Sequence, residues 1–233
     1  MLCILTHQGL GDHIICNGLI RSLLDNNDSI VLFIKQNNFF SVQKMYKDES
    51  RIFCMPFSED NEEACFDLVA RNNSKLKIGF YEYFKSLQEN KDSLEKKFDF
   101  NFYKIANVPF ENRWKRFFLL RDLEEEESTF KKLEGDKEPY IFVHEDPSRN
   151  FFLNPYNPNN YRVIKNNKNY SIFSMIKILE EAKEIHCMES SFNVLIEHLF
   201  KIDDKRLFYY PNVRKYPDYL LATTKRKWNI VLN

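Results

Sequence analysis

The sequence predicts an α/β protein made of two Rossmann-like halves, and three observations carry that prediction. Stretches that read as strands, rich in apolar residues, recur at residues 2–6, 30–34, 51–55 and 75–80, and again at 140–143 and 184–188. Stretches with apolar residues at helical spacing lie between them, and each connection is too long for a hairpin, so the strands pair in parallel. Between the two sets, Val108-Pro109 ends a helix and a charged run follows, which marks the crossing between the halves. The halves are placed at residues 1–120 and 121–233.

In chain order, the strand at 2–6 leads through a short loop into a helix with apolar residues at 14, 15, 19, 20, 23 and 24. Helices are expected at 39–46 and 62–71, the second with Cys65, Phe66 and Val69 on one face, and at 98–107. Residues 81–97 are aromatic and charged and read as partly helical; Tyr81, Tyr83 and Phe84 follow a strand and either line a binding site there or pack beneath a loop. Residues 122–132 are acidic first and basic last, a helix charged to suit its dipole and read as a solvated face. Gly135 and Pro139 stop it. The second half begins with the strand at 140–143, and an Asn-rich tract follows with a strand at 161–165. A helix at 171–183 is expected to be capped by Ser171, and another helix runs over 192–200. His186 and His198 read as structural, and residues 228–232 as a last packed segment.

The loop after the first strand is the informative one. The chain has Gly 5, and Gly9 and Gly11 both sit there, which calls for a sharp turn or a close approach of backbone. Ligands of open α/β sheets gather at the carboxyl ends of the strands. A dinucleotide fingerprint is missing, because Ile14 stands where its third glycine belongs and the second strand runs into Lys35 and Gln36 without an acid. No Lys-Ser/Thr pair follows the glycines, so it is not a P-loop. Asp12 would repel a pyrophosphate placed on the same amides, so the loop suits a neutral, hydroxyl-bearing partner. A carboxylate beside His7 and His13 is a candidate general base for activating a hydroxyl; the plain alternative is a helix cap.

Gly9-Leu10-Gly11-Asp12 ahead of an amphipathic helix resembles the amino-terminal loop of GT-B glycosyltransferases of the heptosyltransferase type, and of related short enzymes that build bacterial and viral surface glycans. The resemblance is strongest over the first two dozen residues, weaker around 140–150 and 184–200, and undetectable elsewhere. It implies two Rossmann-like domains with parallel sheets facing across a cleft, the first binding the acceptor and the second a nucleotide sugar. It implies transfer of a hexosyl- or pentosyl-type sugar to a glycan hydroxyl, with Asp12 as the base, His13 or His7 orienting the acceptor, and Gly9 and Gly11 forming the acceptor loop. In the second half it points to two donor-binding turns. Arg149, with Ser148 and His144, follows the strand at 140–143, and its fork of donors matches a diphosphate. Glu189-Ser190-Ser191 follows the strand at 184–188, where hydroxyls and amides suit phosphate and the acid suits a ribose diol.

Composition narrows the field. Lys+Arg 34 balance Asp+Glu 34, so no excess of positive charge points to nucleic acid. The basic-aromatic stretch Arg113-Trp114-Lys115-Arg116-Phe117-Phe118 is short and sits in a neutral chain. No window approaches the ~18 uninterrupted apolar residues of a membrane span, and the first residues lack a basic leader, so a cytoplasmic location is expected. The five cysteines are scattered and lack a Cys-x-x-Cys pair, as in a reducing compartment. Richness in Asn, Lys, Ile and Phe fits an AT-rich viral or bacterial genome. No Asp-x-Asp triplet is present, so no metal and no cofactor are expected; the partners are a nucleotide sugar and a glycan acceptor. Two alternatives remain: a non-catalytic nucleotide- or glycan-binding module of the same fold, and an enzyme of other nucleotide chemistry such as a phosphorylase or epimerase.

Overall fold

A computed structural model describes residues 1–6, 9–58, 62–79, 97–213 and 221–232. The contacts divide the chain into two units, Met1–Leu120 and Arg121–Asn233. Residues 81–96, which include Tyr81, Tyr83 and Phe84, lie outside the described residues.

The first unit holds β1 (Leu2–Thr6), β2 (Ile30–Lys35), β3 (Ile52–Phe57) and β4 (Ser74–Ile78) in the order β3-β2-β1-β4, all parallel. β1 and β2 are continuous apolar runs because both faces of a parallel sheet are covered. Cys3, Leu5, Val31 and Phe33 share one face and pack on Phe66 and Ala70. The helices expected at 39–46 and 62–71 form α3 (Phe39–Met45) and α4 (Glu62–Val69), and the ring of Phe66 in α4 meets that of Phe33 edge-on at 5.1 Å. Ile4, Leu32 and Ile34 alternate with that set along the strands and are fully buried as well. β3 is an edge strand, which is why it tolerates Pro56. The chain steps outward from β1 to β2 and β3, then returns to lay β4 on the other side of β1. The strand order therefore reverses between β1 and β4, and the crevice of such a sheet opens above their carboxyl ends.

The single helix expected after the first loop is two: α1 (Leu10–Ile15) and α2 (Asn17–Leu23). The break at Cys16 lies where a later part of the unit docks. α5 (Phe98–Ile105) sends the Tyr103 hydroxyl to the Ile15 carbonyl at 2.8 Å. The Asn17 side chain brackets Phe118, accepting its amide at 3.0 Å and donating to its carbonyl at 3.1 Å. α6 (Asn112–Lys115) runs so close to Gly18 that a Cβ there would lie 2.0 Å from the Asn112 carbonyl oxygen. Only hydrogen fits at that position.

The basic-aromatic stretch is taken up in this docking. Arg113 forms a fully buried ion pair with Asp99, and its guanidinium lies 4.8 Å from the centre of the Trp114 ring. Arg116 grips the Asp25 carboxylate with two donors at 2.8 and 2.9 Å. These cations meet carboxylates of their own unit. Removing one partner of a buried pair strands the other, so Arg113→Met is expected to lower unfolding free energy by about 3–5 kcal/mol in urea titrations. A loss below about 1 kcal/mol would show that Asp99 is compensated elsewhere.

The second unit orders β5 (Tyr140–Val143), β6 (Arg162–Lys165), β7 (Glu184–Cys187), β8 (Leu207–Tyr209) and β9 (Asn229–Ile230) as β6-β5-β7-β8-β9, again all parallel. Its core gathers Ile141, Val143, Leu153, Met188 and Tyr210. The expected helices are shorter here: α8 is Ile176–Glu181 and α9 is Ser191–Ile196. Ser171 caps a turn ahead of α8, its hydroxyl accepting the Phe173 amide at 3.3 Å.

The acidic run at 122–132 forms α7 (Leu123–Lys132), capped by Asp122 on the Glu125 amide at 3.0 Å. It is not wholly a solvated face. The Glu126 side chain is 2% exposed and pairs with Arg121, whose other donors reach Glu180 of α8 at 2.7 and 2.9 Å. The hydrogen bonds Arg121 donates to Glu126, then those it donates to Glu180, hold this guanidinium more firmly charged than usual. One arginine fork thus ties two helices, a use that charge patterning along one helix does not reveal.

No helix among the described residues is long and apolar enough to cross a membrane. His186 is buried as expected, stacked on Phe208 at 4.7 Å, with Nδ1 2.9 Å from the Tyr210 hydroxyl and Nε2 3.1 Å from Glu184. Burial pushes its pKa below the ordinary 6.5, against the smaller upward pull of Glu184. The unfolded chain therefore takes up a proton near that pH that the folded chain refuses. Stability falls as pH drops below 6.5, until the folded imidazole itself protonates. His186→Gln is expected to flatten this part of the stability curve; equal slopes for both proteins between about pH 7.5 and 5 would assign the acid loss to other groups.

Candidate functional site

In the first unit the loop after β1 reaches the point where strand order reverses. His7 lies outside the described residues. Gly9 has ordinary extended geometry, φ −73° and ψ 147°, so the need for glycine is spatial. Its N–H donates to Asp12 Oδ2 at 3.0 Å, and a Cβ on Gly9 would lie 2.5 Å from that oxygen. Gly9 makes room for the carboxylate to fold back over the start of α1, and both Asp12 and Gly11 are half-buried there. His13 points inward. It is fully buried, with Nδ1 3.4 Å from Thr6 Oγ1. A side chain with no exposed surface cannot touch an acceptor, so the orienting role expected for His13 becomes one of seating α1 against the end of β1.

In the second unit the order β6-β5-β7-β8-β9 reverses between β5 and β7, and both donor-type turns leave the sheet there. Val143 is paired with His186, and the His144 amide extends the ladder by donating to the His186 carbonyl at 2.9 Å. The buried His144 ring lies 5.1 Å from that of Phe192 in α9, so the two turns touch. Asn166 clamps Glu145 with two hydrogen bonds, at 2.7 and 2.9 Å, and Lys165 reaches its carboxylate at 2.9 Å.

Beyond Glu145 the loop projects. Asp146 and Phe151 exchange backbone hydrogen bonds of 2.9 and 3.0 Å, and Asn150 closes the excursion at φ 59°. Asp146 Oδ1 accepts the Ser148 hydroxyl at 2.6 Å, while Oδ2 lies 3.7 Å from Arg149 Nε. The Arg149 side chain is 59% exposed and belongs to the rim. Asp146 is the organiser that sequence reading passed over; an Asp ahead of Pro-Ser is the usual signal for such a turn.

The second turn departs from a plain serine cap. Asn193 Oδ1 accepts the Ser190 amide at 2.7 Å, and the Ser190 hydroxyl is buried with no hydrogen-bond partner among the described residues. A buried hydroxyl left without a protein partner calls for an explanation, and a bound water or ion is a common one. Ser191 begins α9 and is half-buried. The Glu189 carboxylate accepts from the Tyr209 hydroxyl at 2.9 Å, the Ala222 amide at 3.3 Å and Asn193 Nδ2 at 3.4 Å. His144, Glu189, Ser190 and Ser191 thus gather at one point of the sheet edge, with Ser148 and Arg149 on the projecting loop.

Concave spaces lie away from these turns. One of about 340 Å³ is bounded by Arg21, Asp25, Glu49, Arg51 and Arg116, at the amino end of β3. Its arginines are paired with carboxylates, Arg21 with Asp48, Arg51 with Glu49 and Arg116 with Asp25.

No family model and no curated protein matches the sequence. Solved structures do match its fold. The ADP-heptose lipopolysaccharide heptosyltransferase II of E. coli aligns over 99% of this chain and 89% of its own, with a TM-score of 0.60 at 11% identity. A glycosyl transferase family 9 protein of Veillonella parvula aligns over 99% and 86%, with a TM-score of 0.57 at 8% identity. The iron-containing dodecameric glycosyltransferase TibC of enterotoxigenic E. coli aligns over 100% of this chain and 62% of its own, with a TM-score of 0.55 at 13% identity. The chain has the GT-B-like fold of two parallel-sheet units seen in these heptosyltransferase-type structures.

Proposed function

We propose that this protein is a glycosyltransferase that moves a sugar from a nucleoside diphosphate sugar to a hydroxyl of a glycan acceptor, without a metal ion and in the cytoplasm. The observation that carries the reading is topological: in a fold shared with heptosyltransferases, the Asp12 loop sits at one point of strand-order reversal and the His144 and Glu189 turns sit at the other. Residues 1–120 would bind the acceptor and residues 121–233 the donor. One fold neighbour is named for ADP-heptose, which makes ADP-linked sugars the first donors to test.

In the proposed reaction Asp12 takes the proton of the acceptor hydroxyl as its oxygen bonds to the anomeric carbon. The bond from that carbon to the diphosphate breaks, and its electron pair leaves with the diphosphate. A single displacement of this kind inverts the anomeric centre. Arg149 presents a planar fork to the leaving diphosphate, and the hydroxyls of Ser148, Ser190 and Ser191 add donors. The 3.7 Å contact of Arg149 with Asp146 is a weak surface tie that a diphosphate would readily replace. His144 and Glu189 line the nucleotide, Glu189 accepting from ribose. Gly9 and Gly11 shape the acceptor loop, and His7 orients the acceptor.

The hydrogen bond from Gly9 to Asp12 favours a second reading, a non-catalytic nucleotide- or glycan-binding module in which Asp12 is a cap and nothing more. Asp12→Asn separates the two, because an amide oxygen keeps the cap while the base is lost. Glycosyl transfer is expected to drop at least ~100-fold with nucleotide binding and melting temperature unchanged. Retained activity would place the base elsewhere. Nucleotide-induced thermal stabilisation with no transfer across a panel of ADP, UDP, GDP and CMP sugars would establish the binding module.

Arg149→Ala is expected to weaken nucleoside diphosphate binding by about tenfold or more in calorimetry, the scale of a lost charge-assisted hydrogen bond. An unchanged dissociation constant would remove Arg149 from the site. Activity should survive excess EDTA; its loss, restored by a divalent cation, would overturn the metal-free scheme.

A further inference from the structure

The second unit brackets α9 with two acids. Glu189 lies just ahead of it, and Glu197 follows its last turn, buried. The final segment of the chain is fastened to both. The Ala222 amide donates to Glu189, while the Lys225 and Arg226 amides donate to Glu197 at 2.7 and 3.3 Å. Two aromatic side chains bridge the same acids: Tyr209 through its hydroxyl to Glu189 at 2.9 Å, and Trp228 through its indole N–H to Glu197 at 2.8 Å. Their rings meet edge-on with centres 6.0 Å apart. Arg226 completes the anchorage, with Nε on Asp204 at 2.8 Å and another donor on the Leu199 carbonyl at 2.5 Å.

Register explains why Tyr209 can do this. Cys187 of β7 pairs with Tyr209 of β8, so Glu189 stands two residues beyond that pair at the carboxyl edge of the sheet. Phe208 and Tyr210 serve His186 instead, by stacking and by a hydroxyl contact. Tyr209 points to the opposite face from both neighbours, toward Trp228 and the acid. A long flexible glutamate with one firm hydroxyl donor keeps fewer rotamers than one in water.

We infer that Tyr209 is a positioning residue for nucleotide recognition: with the Ala222 amide it fixes the Glu189 carboxylate in the orientation that accepts a ribose hydroxyl, which makes the chain's last segment part of the donor site. This rests on the donor-binding reading of the second unit. The role is tied to ribose, so it predicts a change in discrimination as well as in affinity. Tyr209→Phe keeps the ring and its contact with Trp228 and removes only the oxygen.

The probes are ADP, UDP, GDP and CDP, each with its 2′,3′-dideoxy counterpart, measured by calorimetry on the full chain with melting temperature as the folding control. The wild type should prefer the ribose form of its nucleotide by about tenfold or more, the scale of one hydrogen bond to a charged group. Tyr209→Phe should reduce that preference to about threefold or less while binding the dideoxy form as the wild type does, and Glu189→Gln should behave alike. A wild-type ratio retained in Tyr209→Phe, equal weakening toward both forms, or a wild type blind to the ribose hydroxyls each overturns the inference and leaves the donor reading standing. Failure of every nucleoside diphosphate to bind the wild type overturns both together.

Discussion

Parallel strands impose the constraint on which everything else in this protein depends. Their backbone hydrogen bonds require every strand to run the same way, so each connection must cross the sheet and every strand ends at one edge. Helices then cover both faces, and the apolar runs of β1, β2 and β5 follow from having no wet side. Where successive crossovers change direction, the flanking loops part and leave a crevice. Each unit has one such point, between β1 and β4 and between β5 and β7, and the chemically distinctive residues of the chain are concentrated there.

Around that framework the chain uses glycine and charge sparingly and for specific distances. Gly9 admits the Asp12 carboxylate, and Gly18 admits the backbone of α6; neither needs an unusual backbone angle. Buried charge is handled by pairing arginine with carboxylate. Arg113 meets Asp99 in full burial, and Arg121 gathers Glu126 and Glu180 from two helices. Ties of this sort fix which elements meet, since an unmatched buried carboxylate costs far more than an exposed pair contributes.

The turns after β5 and β7 are fixed by the same kind of tie. Asp146 shapes the loop that carries Ser148 and Arg149, and Asn193 takes over the capping of α9 from Ser190. The Ser190 hydroxyl is left buried without a hydrogen-bond partner among the described residues, while Glu189 is held by the Tyr209 hydroxyl of β8 and the Ala222 amide. Rigid support behind a few polar groups is what a site needs if a nucleotide is to meet it without costly rearrangement.

The sequence by itself determined the alternation of strands and helices, the parallel pairing, and the importance of the loop carrying Gly9 and Asp12, because periodicity and local turn chemistry are properties of neighbouring residues. It also marked 144–150 and 189–191 as places where polar residues follow buried strands. The tertiary structure alone decided that His13 faces inward, that Glu126 leaves the solvated face for Arg121, and that α1 and α2 are separate helices. It alone decided that residues 207–209 and 229–230 are strands and that Tyr209 and Ala222 hold Glu189. Each of those outcomes depends on a partner 15 or more residues away or on the direction a side chain takes, and short strands acquire their identity only from the ladder beside them.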